Sequence, residues 1–480
     1  MIFKRFYPSM KFLFLCLLQA TPLAAQEYVA VSDNPPPVTR EFRAAWVASV
    51  HNIDWPSAKG LSATTQQAEA RAILDKLAGL KMNAVILQVR PQADALYSSS
   101  IEPWSPWLTG TMGKSPGYDP LAYWIEQGHA RGIEVHAWFN PFRALSNADH
   151  TCSGNHISRT KPHLIKRYGS ILWCDPSHPE TRSQALATIL DVVRRYDIDG
   201  VHLDDYFYPY PSGNLRFNDG KTPTQRRAVV DAFVSQLYSS VKKQKPWVRV
   251  GISPFGIWRP GVPEGIEAGV DAYDHLAADA RKWLQNGWVD YMAPQLYWRI
   301  SPQKQSYPVL LEWWRAQGTR PVWPGIATTR IQSPEDPGRP ASEIINQIDL
   351  SRKLGRQNYV GHLHWSAKGL MKNQGGISTA LQKVYTQPAA VPPMPWLSKS
   401  VPAQTEASAS ASGSKSTVRW PAPQGVSKVA VQARQSGVWH TVAIVPASAA
   451  SVSTPRAEAF AVTSFDRFGN SSSPKILSLP

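Results

Sequence analysis

The sequence predicts an α/β fold, a closed (β/α)₈ TIM barrel, followed by a small β-sandwich. Three observations carry that expectation. Eight short apolar runs alternate with segments of helical spacing across residues 42–365. A stretch rich in Pro, Ala, Ser and Gly follows at 387–416 and reads as a linker. Beyond it, short runs alternate apolar and polar residues between turn signals, the pattern of antiparallel strands.

Taken in order, residues 1–25 begin with Lys4, Arg5 and Lys11, continue through an apolar run at 12–18 and end on small residues. This is the pattern of a secretory signal peptide, too short to span a bilayer. Export to the periplasm of a Gram-negative cell is expected, without a transmembrane anchor. Cys16 belongs to the apolar run and lacks the small residues that precede a lipidated cysteine. Residues 26–40 are polar and Pro-rich and read as a linker.

The barrel is expected over 41–386. Its strands are placed at 42–50, 83–89, 134–139, 200–204, 248–253, 291–297, 322–327 and 359–365. Helices are placed at 66–80, 121–131, 180–196, 224–243, 276–286, 309–317 and 342–354. An open doubly wound sheet would want a Gly-rich turn after the first strand, and Ser49-Val50-His51-Asn52 is not one. The loops at 91–120 and 142–177 are long, and in barrels such loops build the active-site face. Tyr97, Trp104, Trp107 and Tyr118 suit the walls of a cleft. In the last segment, 417–480, residues 461–471 resemble the final hairpin of a fibronectin type III sandwich, in a tail one edge strand short for that fold.

Composition narrows the function. A chain of 480 residues, 43% hydrophobic and 10% aromatic, is globular. Its 19 Trp serve a core first and a sugar-binding cleft second. Loss of residues 1–25 removes three basic residues and no acid, so the net charge of +16 becomes +13. Such a surface is drawn to polyanions: cell-wall glycans, anionic lipid head groups or extracellular nucleic acid. No nucleic-acid module is visible, so no nucleic-acid partner is expected. Cys152 and Cys174 remain as an even pair, expected to form a disulfide in an oxidising compartment. No nucleotide loop, metal motif or Gly-x-Ser-x-Gly elbow appears, and no cofactor is expected.

The densest chemical cluster is Asp197-Ile198-Asp199-Gly200-Val201-His202-Leu203-Asp204-Asp205-Tyr206. Alternation along the fourth strand puts His202 and Asp204 on the interior face, with Asp205 where strand gives way to loop. Adjacent carboxylates at a strand C-end suit acid–base work, because one charge holds the other carboxyl neutral. Asp204 and Asp205 are therefore the candidate catalytic pair, against a structural role in capping the loop. Asp197 and Asp199, at the other end of the strand, read as turn residues. Glu102 and Asp175 are alternative acids. Arg90, Asp94, His136, Trp138, Asn140, Arg143, His202, Tyr206, Gln295, Tyr297 and Trp365 are expected to ring the mouth. Amides, Arg and flat rings of this kind suit sugar hydroxyls and acetamides, although interior polar groups also satisfy one another.

Several long motifs resemble one known family, the glycosyl-hydrolase-like ten family, formerly a domain of unknown function. They are Phe42-Arg43-Ala44-Ala45-Trp46-Val47, Asn83-Ala84-Val85-Ile86-Leu87-Gln88-Val89-Arg90-Pro91, Pro116-Gly117-Tyr118-Asp119-Pro120-Leu121, His136-Ala137-Trp138-Phe139-Asn140-Pro141 and the run from Asp199 to Tyr206. The resemblance spans roughly residues 40–385. It implies a TIM barrel and glycan hydrolysis, with peptidoglycan strands as the natural polymer of exported members and cell-division proteins as partners. The Asp204–Asp205 step also resembles substrate-assisted N-acetylhexosaminidases, in which one carboxylate orients the acetamide and the next is the acid. Two competing expectations are a non-catalytic glycan-binding division scaffold and a hydrolase of an exopolysaccharide.

Overall fold

The computed structural model describes residues 1–2, 26–355, 359–421 and 424–480, so residues 3–25 of the expected signal peptide lie outside the described residues. Eight strands build the barrel: β1 (Phe42–Val47), β2 (Ala84–Arg90), β3 (Glu134–Phe139), β4 (Gly200–Leu203), β5 (Arg249–Ile252), β6 (Tyr291–Met292), β7 (Gly325–Ile326) and β8 (Gly361–His364). They pair in parallel in the order β6-β5-β4-β3-β2-β1-β8-β7. Parallel bridges from Met292 to Val322 and from Gln295 to Gly325 close the ring. The principal outer helices are α1 (Ala63–Gly79), α2 (Pro120–Ala130), α3 (Pro179–Arg195), α4 (Pro223–Gln244), α5 (Ala280–Gln285), α6 (Tyr307–Ala316), α7 (Ala341–Lys353) and α8 (Ile377–Val384). Their starts are written locally: Ser62 caps α1, and Thr222 with Gln225 forms a capping box on α4.

Alternation sorts the strand side chains into two cores. Ala45, Val47, Val85, Leu87, Val135, Ala137, Val201 and Leu203 pack outward under the helices. Phe42, Trp46, Ile86, Trp138 and Tyr291 fill the barrel interior. Burying each such large side chain contributes about 1.5–3 kcal/mol. Strands buried on both faces read as continuous apolar runs, which is why they were visible in the sequence. The interior is filled by pairing aromatic plates with missing side chains. A Cβ on Gly251 would lie 2.0 Å from the Tyr291 ring, and one on Gly200 2.5 Å from the His136 ring.

Seven further strands form the C-terminal sandwich: β9 (Ser408–Ser412), β10 (Lys415–Arg419), β11 (Lys428–Gln435), β12 (Val438–Pro446), β13 (Ser451–Pro455), β14 (Ala459–Phe465) and β15 (Lys475–Ser478). Two short strands from the N-terminal segment complete its two sheets: Gln26–Glu27 pairs with β9, and Val29–Ala30 pairs with β15. Between them Tyr28 is buried in the sandwich core and its hydroxyl donates to the Ala457 carbonyl at 2.6 Å. The segment expected as a linker at 26–40 thus supplies edge strands to a domain that lacked one.

The expected flexible linker at 387–416 also needs correction. Ala389, Ala390, Val391 and Met394 are buried, Ala390 bridges Arg40, and β9 begins inside the stretch. Its small apolar residues lie against the base of the barrel. Arg249 donates to the Pro392 carbonyl at 2.9 Å, and Trp396 donates to Asp290 at 2.9 Å. Sandwich and barrel base meet through Phe465, packed with Val38, Ala390 and Ala430, and through ion pairs Arg467–Asp197 at 2.5 Å and Lys428–Glu134 at 3.3 Å. Among the described residues no helix is long and apolar enough to cross a membrane.

The expected Cys152–Cys174 disulfide is not formed; both cysteines are free thiols. The loop after β3 folds into a small antiparallel sheet of Arg143–Leu145, Ile165–Tyr168 and Ile171–Cys174. Its last residue points Cys174 into an apolar cluster with Ala93, Ala144, Ile157 and Leu164, where burial pushes the thiol up to about 12. Cys152 faces the Ser158 hydroxyl instead.

Candidate active site

The C-terminal ends of the strands hold the two candidate acids in unlike surroundings. Asp204 follows β4 and is 4% exposed. Its Oδ2 accepts from Trp138 Nε1 at 3.1 Å and from Asn140 Nδ2 at 3.2 Å, and its Oδ1 accepts from the Tyr206 amide at 3.3 Å. Three neutral donors satisfy most of its lone pairs and leave acceptor capacity for one further N–H. Burial nonetheless raises its pKa, against the pull of the Arg143 charge and these donors.

Asp205 is 2% exposed and accepts from the Tyr210 hydroxyl. Burial first, and the neighbouring Asp204 charge second, push its carboxyl up to about 7, while Tyr210 and Gln295 pull the other way. When Asp204 ionises, Asp205 keeps its proton, and a neutral carboxyl at this position can donate one near neutral pH. Tyr210 was missed by sequence reasoning. The run Tyr206-Phe207-Tyr208-Pro209-Tyr210 offers three tyrosines, and spacing does not tell which turns back.

Around this pair lie rings and amides. Trp138 and Trp365 meet edge-to-face at 6.1 Å, and Tyr297 stacks on Trp365 at 6.4 Å. Gln295 Nε2 donates to the Ser253 carbonyl at 3.0 Å beside Asp205. Arg143 lies 4.4 Å over the Tyr206 ring, and its amide is held by Asn140 Oδ1 at 2.8 Å. The structure therefore gathers Asp204, Asp205, Trp138, Asn140, Arg143, Tyr206, Gln295, Tyr297 and Trp365 at one mouth.

Six other expected residues are engaged elsewhere. His136 and His202 lie deeper in the barrel, fully buried, in a chain of hydrogen bonds. Trp46 Nε1 donates to His202 Nε2 at 3.2 Å, so His202 Nδ1 carries the proton that faces Tyr291 Oη at 2.9 Å. Tyr291 in turn meets His136 Nδ1 at 2.9 Å, and His136 Nε2 meets Glu134 at 3.4 Å. Both imidazoles are interior packing groups, and burial drives the His202 pKa well down. Asp94 is fully buried beneath the second loop, accepting from the Gln92 amide at 3.0 Å. Arg90 reaches Glu102 at 2.8 Å through Nε and closes a buried ion pair, so neither group faces the mouth as a free charge. Asp175, the other alternative acid, is buried and ties the Ser177 amide at 2.9 Å. Among the described residues no group of three or more His, Cys, Asp or Glu side chains is placed to hold a metal ion.

A barrel that buries two carboxylates among indole and phenol rings at its strand C-ends is the architecture of a glycosyl hydrolase. Residues 41–338 match the Glycosyl hydrolase-like 10 family, and the chain belongs to it. It is 44% identical over 388 residues to glycosyl hydrolase YngK of Bacillus subtilis (strain 168), covering 76% of this chain and 75% of that protein. It is 34% identical over 386 residues to glycosyl hydrolase DigH of Escherichia coli (strain K12), covering 71% and 87%. Among solved structures, the glycoside hydrolase domain of PgaB (BpsB) from Bordetella bronchiseptica matches with TM-score 0.47 and 13% identity, over 72% of this chain and 99% of that one.

Proposed function

We propose that this glycosyl hydrolase is exported and cleaves the glycan strands of peptidoglycan by substrate-assisted acid catalysis at Asp204 and Asp205. The observation that carries the reading is the division of labour in the pair. Asp205 holds a proton to about pH 7, and Asp204 is fixed by Trp138, Asn140 and the Tyr206 amide with one acceptor position to spare. In the first step the acetamide oxygen of the bound sugar attacks its own C1, and the C1–O bond breaks. The leaving oxygen takes the Asp205 proton, while Asp204 accepts the acetamide N–H. Water then attacks C1, gives its proton to Asp205 and restores the acetamide. Both sugars of peptidoglycan carry the acetamide this step needs. The +13 charge expected after loss of residues 1–25 favours a carboxylate-bearing polymer.

Dye-labelled sacculi, with and without prior removal of stem peptides, test the proposal. Released oligosaccharides of N-acetylated sugars, identified by mass spectrometry, are expected. Intact sacculi alongside cleavage of an exopolysaccharide would overturn the choice of polymer.

A further inference from the structure

Two loops at the top of the barrel bring four basic side chains to one flank of the mouth. His51 and Lys59 follow β1, while Arg143 and His150 follow β3. Trp107, from the loop after β2, is the common support of three of them. Lys59 Nζ lies 4.3 Å from its ring centroid, His51 is 4.9 Å away at a 60° tilt, and His150 is 6.4 Å away. The Asn52 side chain donates to the Trp107 carbonyl at 3.0 Å and locks the first loop to the second. Arg143 links this flank to the acids: it lies over Tyr206 and its charge acts on both Asp204 and His51. Burial first, and the neighbouring basic groups Arg143, His150 and Lys59 after it, lower the His51 pKa, so its imidazole enters the cluster as a neutral N–H donor. Lys59 and Arg143 supply the fixed positive charge of this flank, and such a cluster attracts an anion.

His51 and Asn52 both have positive φ, 54° and 52°, a turn that lays the imidazole against Trp107, facing solvent.

We propose that His51, Lys59, Arg143 and His150 form a carboxylate-binding subsite beside Asp204 and Asp205 that selects glycan strands bearing anionic substituents. Resting on the proposed peptidoglycan substrate, the anion is the lactyl carboxylate of a muramic acid residue or a carboxylate of its stem peptide. An ammonium, a guanidinium and two imidazoles can share the oxygens of such a group, and charge-assisted contacts of this type are the strong ones.

Calorimetric binding to the Asp205→Asn protein tests the subsite without turnover. The probes are glycan fragments of one length: with free lactyl carboxylates, with those carboxylates amidated, and with stem peptides attached. The free-carboxylate fragment is expected to bind about tenfold tighter than the amidated one. In the His51→Gln/Lys59→Gln double variant that ratio should fall to near one. Lys59→Gln alone, at an exposed side chain, should lower it about threefold. Tighter binding of the peptide-bearing fragment, lost in the same variants, would assign the carboxylate to the peptide. Equal affinity for charged and amidated fragments, or an unchanged ratio in the variants, would overturn the subsite. Cleavage by the unmodified enzyme is scored separately. Carboxylate-selective binding without cleavage would remove the proposed function and leave the subsite standing.

Discussion

The two ends of the barrel treat buried carboxylates in opposite ways. At the base, Glu134 meets Lys428, Arg249 and His136, and its pKa is driven down despite burial. Glu41, held by Arg43 and Arg352, falls to about 2. At the mouth, Asp204 and Asp205 are just as buried, yet their hydrogen-bond partners are neutral donors, and both are raised. Burial penalises charge at either end; direct ion-pair contact with a cation reverses the sign at the base, whereas at the mouth the Arg143 charge, not in ion-pair contact with Asp204, only offsets part of it. Paired acids hold the base and its sandwich together, whereas unpaired acids keep a proton available.

The largest expected break in this contrast is at the mouth. Asp205→Asn should lower turnover on glycan strands by about 10²–10⁴-fold with substrate still bound, as expected for loss of a general acid. Asp204→Asn should also be severe and should reduce kcat more than it changes KM. Near-normal kcat from folded samples of both variants would remove the pair from the chemistry.

At the base the same change of Asp or Glu to an amide should cost stability instead. Glu134→Gln leaves Arg249 and Lys428 without their shared carboxylate, and about 3 kcal/mol of destabilisation is expected from denaturant unfolding. A loss under about 0.5 kcal/mol would mean that the base acids are not structural.

The pH dependence of stability sharpens the distinction. Asp205 has a folded pKa of about 7 against an ordinary carboxyl value of 3.8, so the folded state binds its proton more tightly. Its favourable contribution is complete below about pH 4 and is lost as pH rises through 7. Asp205→Asn should therefore be more stable than the parent at pH 8, by up to about 4 kcal/mol, and similar to it at pH 4. Asp94, also raised to about 7 by burial, keeps part of the same slope in both proteins. Equal stability of parent and variant at pH 8 would show that Asp205 is not held protonated.

The smallest effect belongs to Tyr210. Its hydroxyl donates to Asp205 and favours the ionised form. Tyr210→Phe should move the alkaline limb of kcat/KM upward by less than about one pH unit, with activity within about tenfold. A downward shift would contradict the contact.

Much of this was legible in the chain. The barrel strands showed because two-sided burial writes long apolar runs, and Asp204–Asp205 showed because a strand's end is where such a run stops. Depth was harder. Alternation correctly placed His136 and His202 inside, but a face is not a height: His136 pairs with Gly200, at the start of β4, well below the mouth. Glu102 and Arg90 were separate candidates until the loop folded back and paired them. Residues 26–30 and 388–398 carried no periodicity, since two-residue strands and Ala-Pro packing leave none. Their partners lie hundreds of residues away.

That last distance has a kinetic side. Val29–Ala30 joins β15, at Lys475–Ser478, so the two ends of the described chain are stitched into one sheet. Loop closure across so long a span is entropically late, and non-local pairing of this kind slows folding. Tyr28 cannot dock until β9, β10 and the Ala457 carbonyl are in place. During refolding Tyr28 should be among the last aromatic rings to leave water.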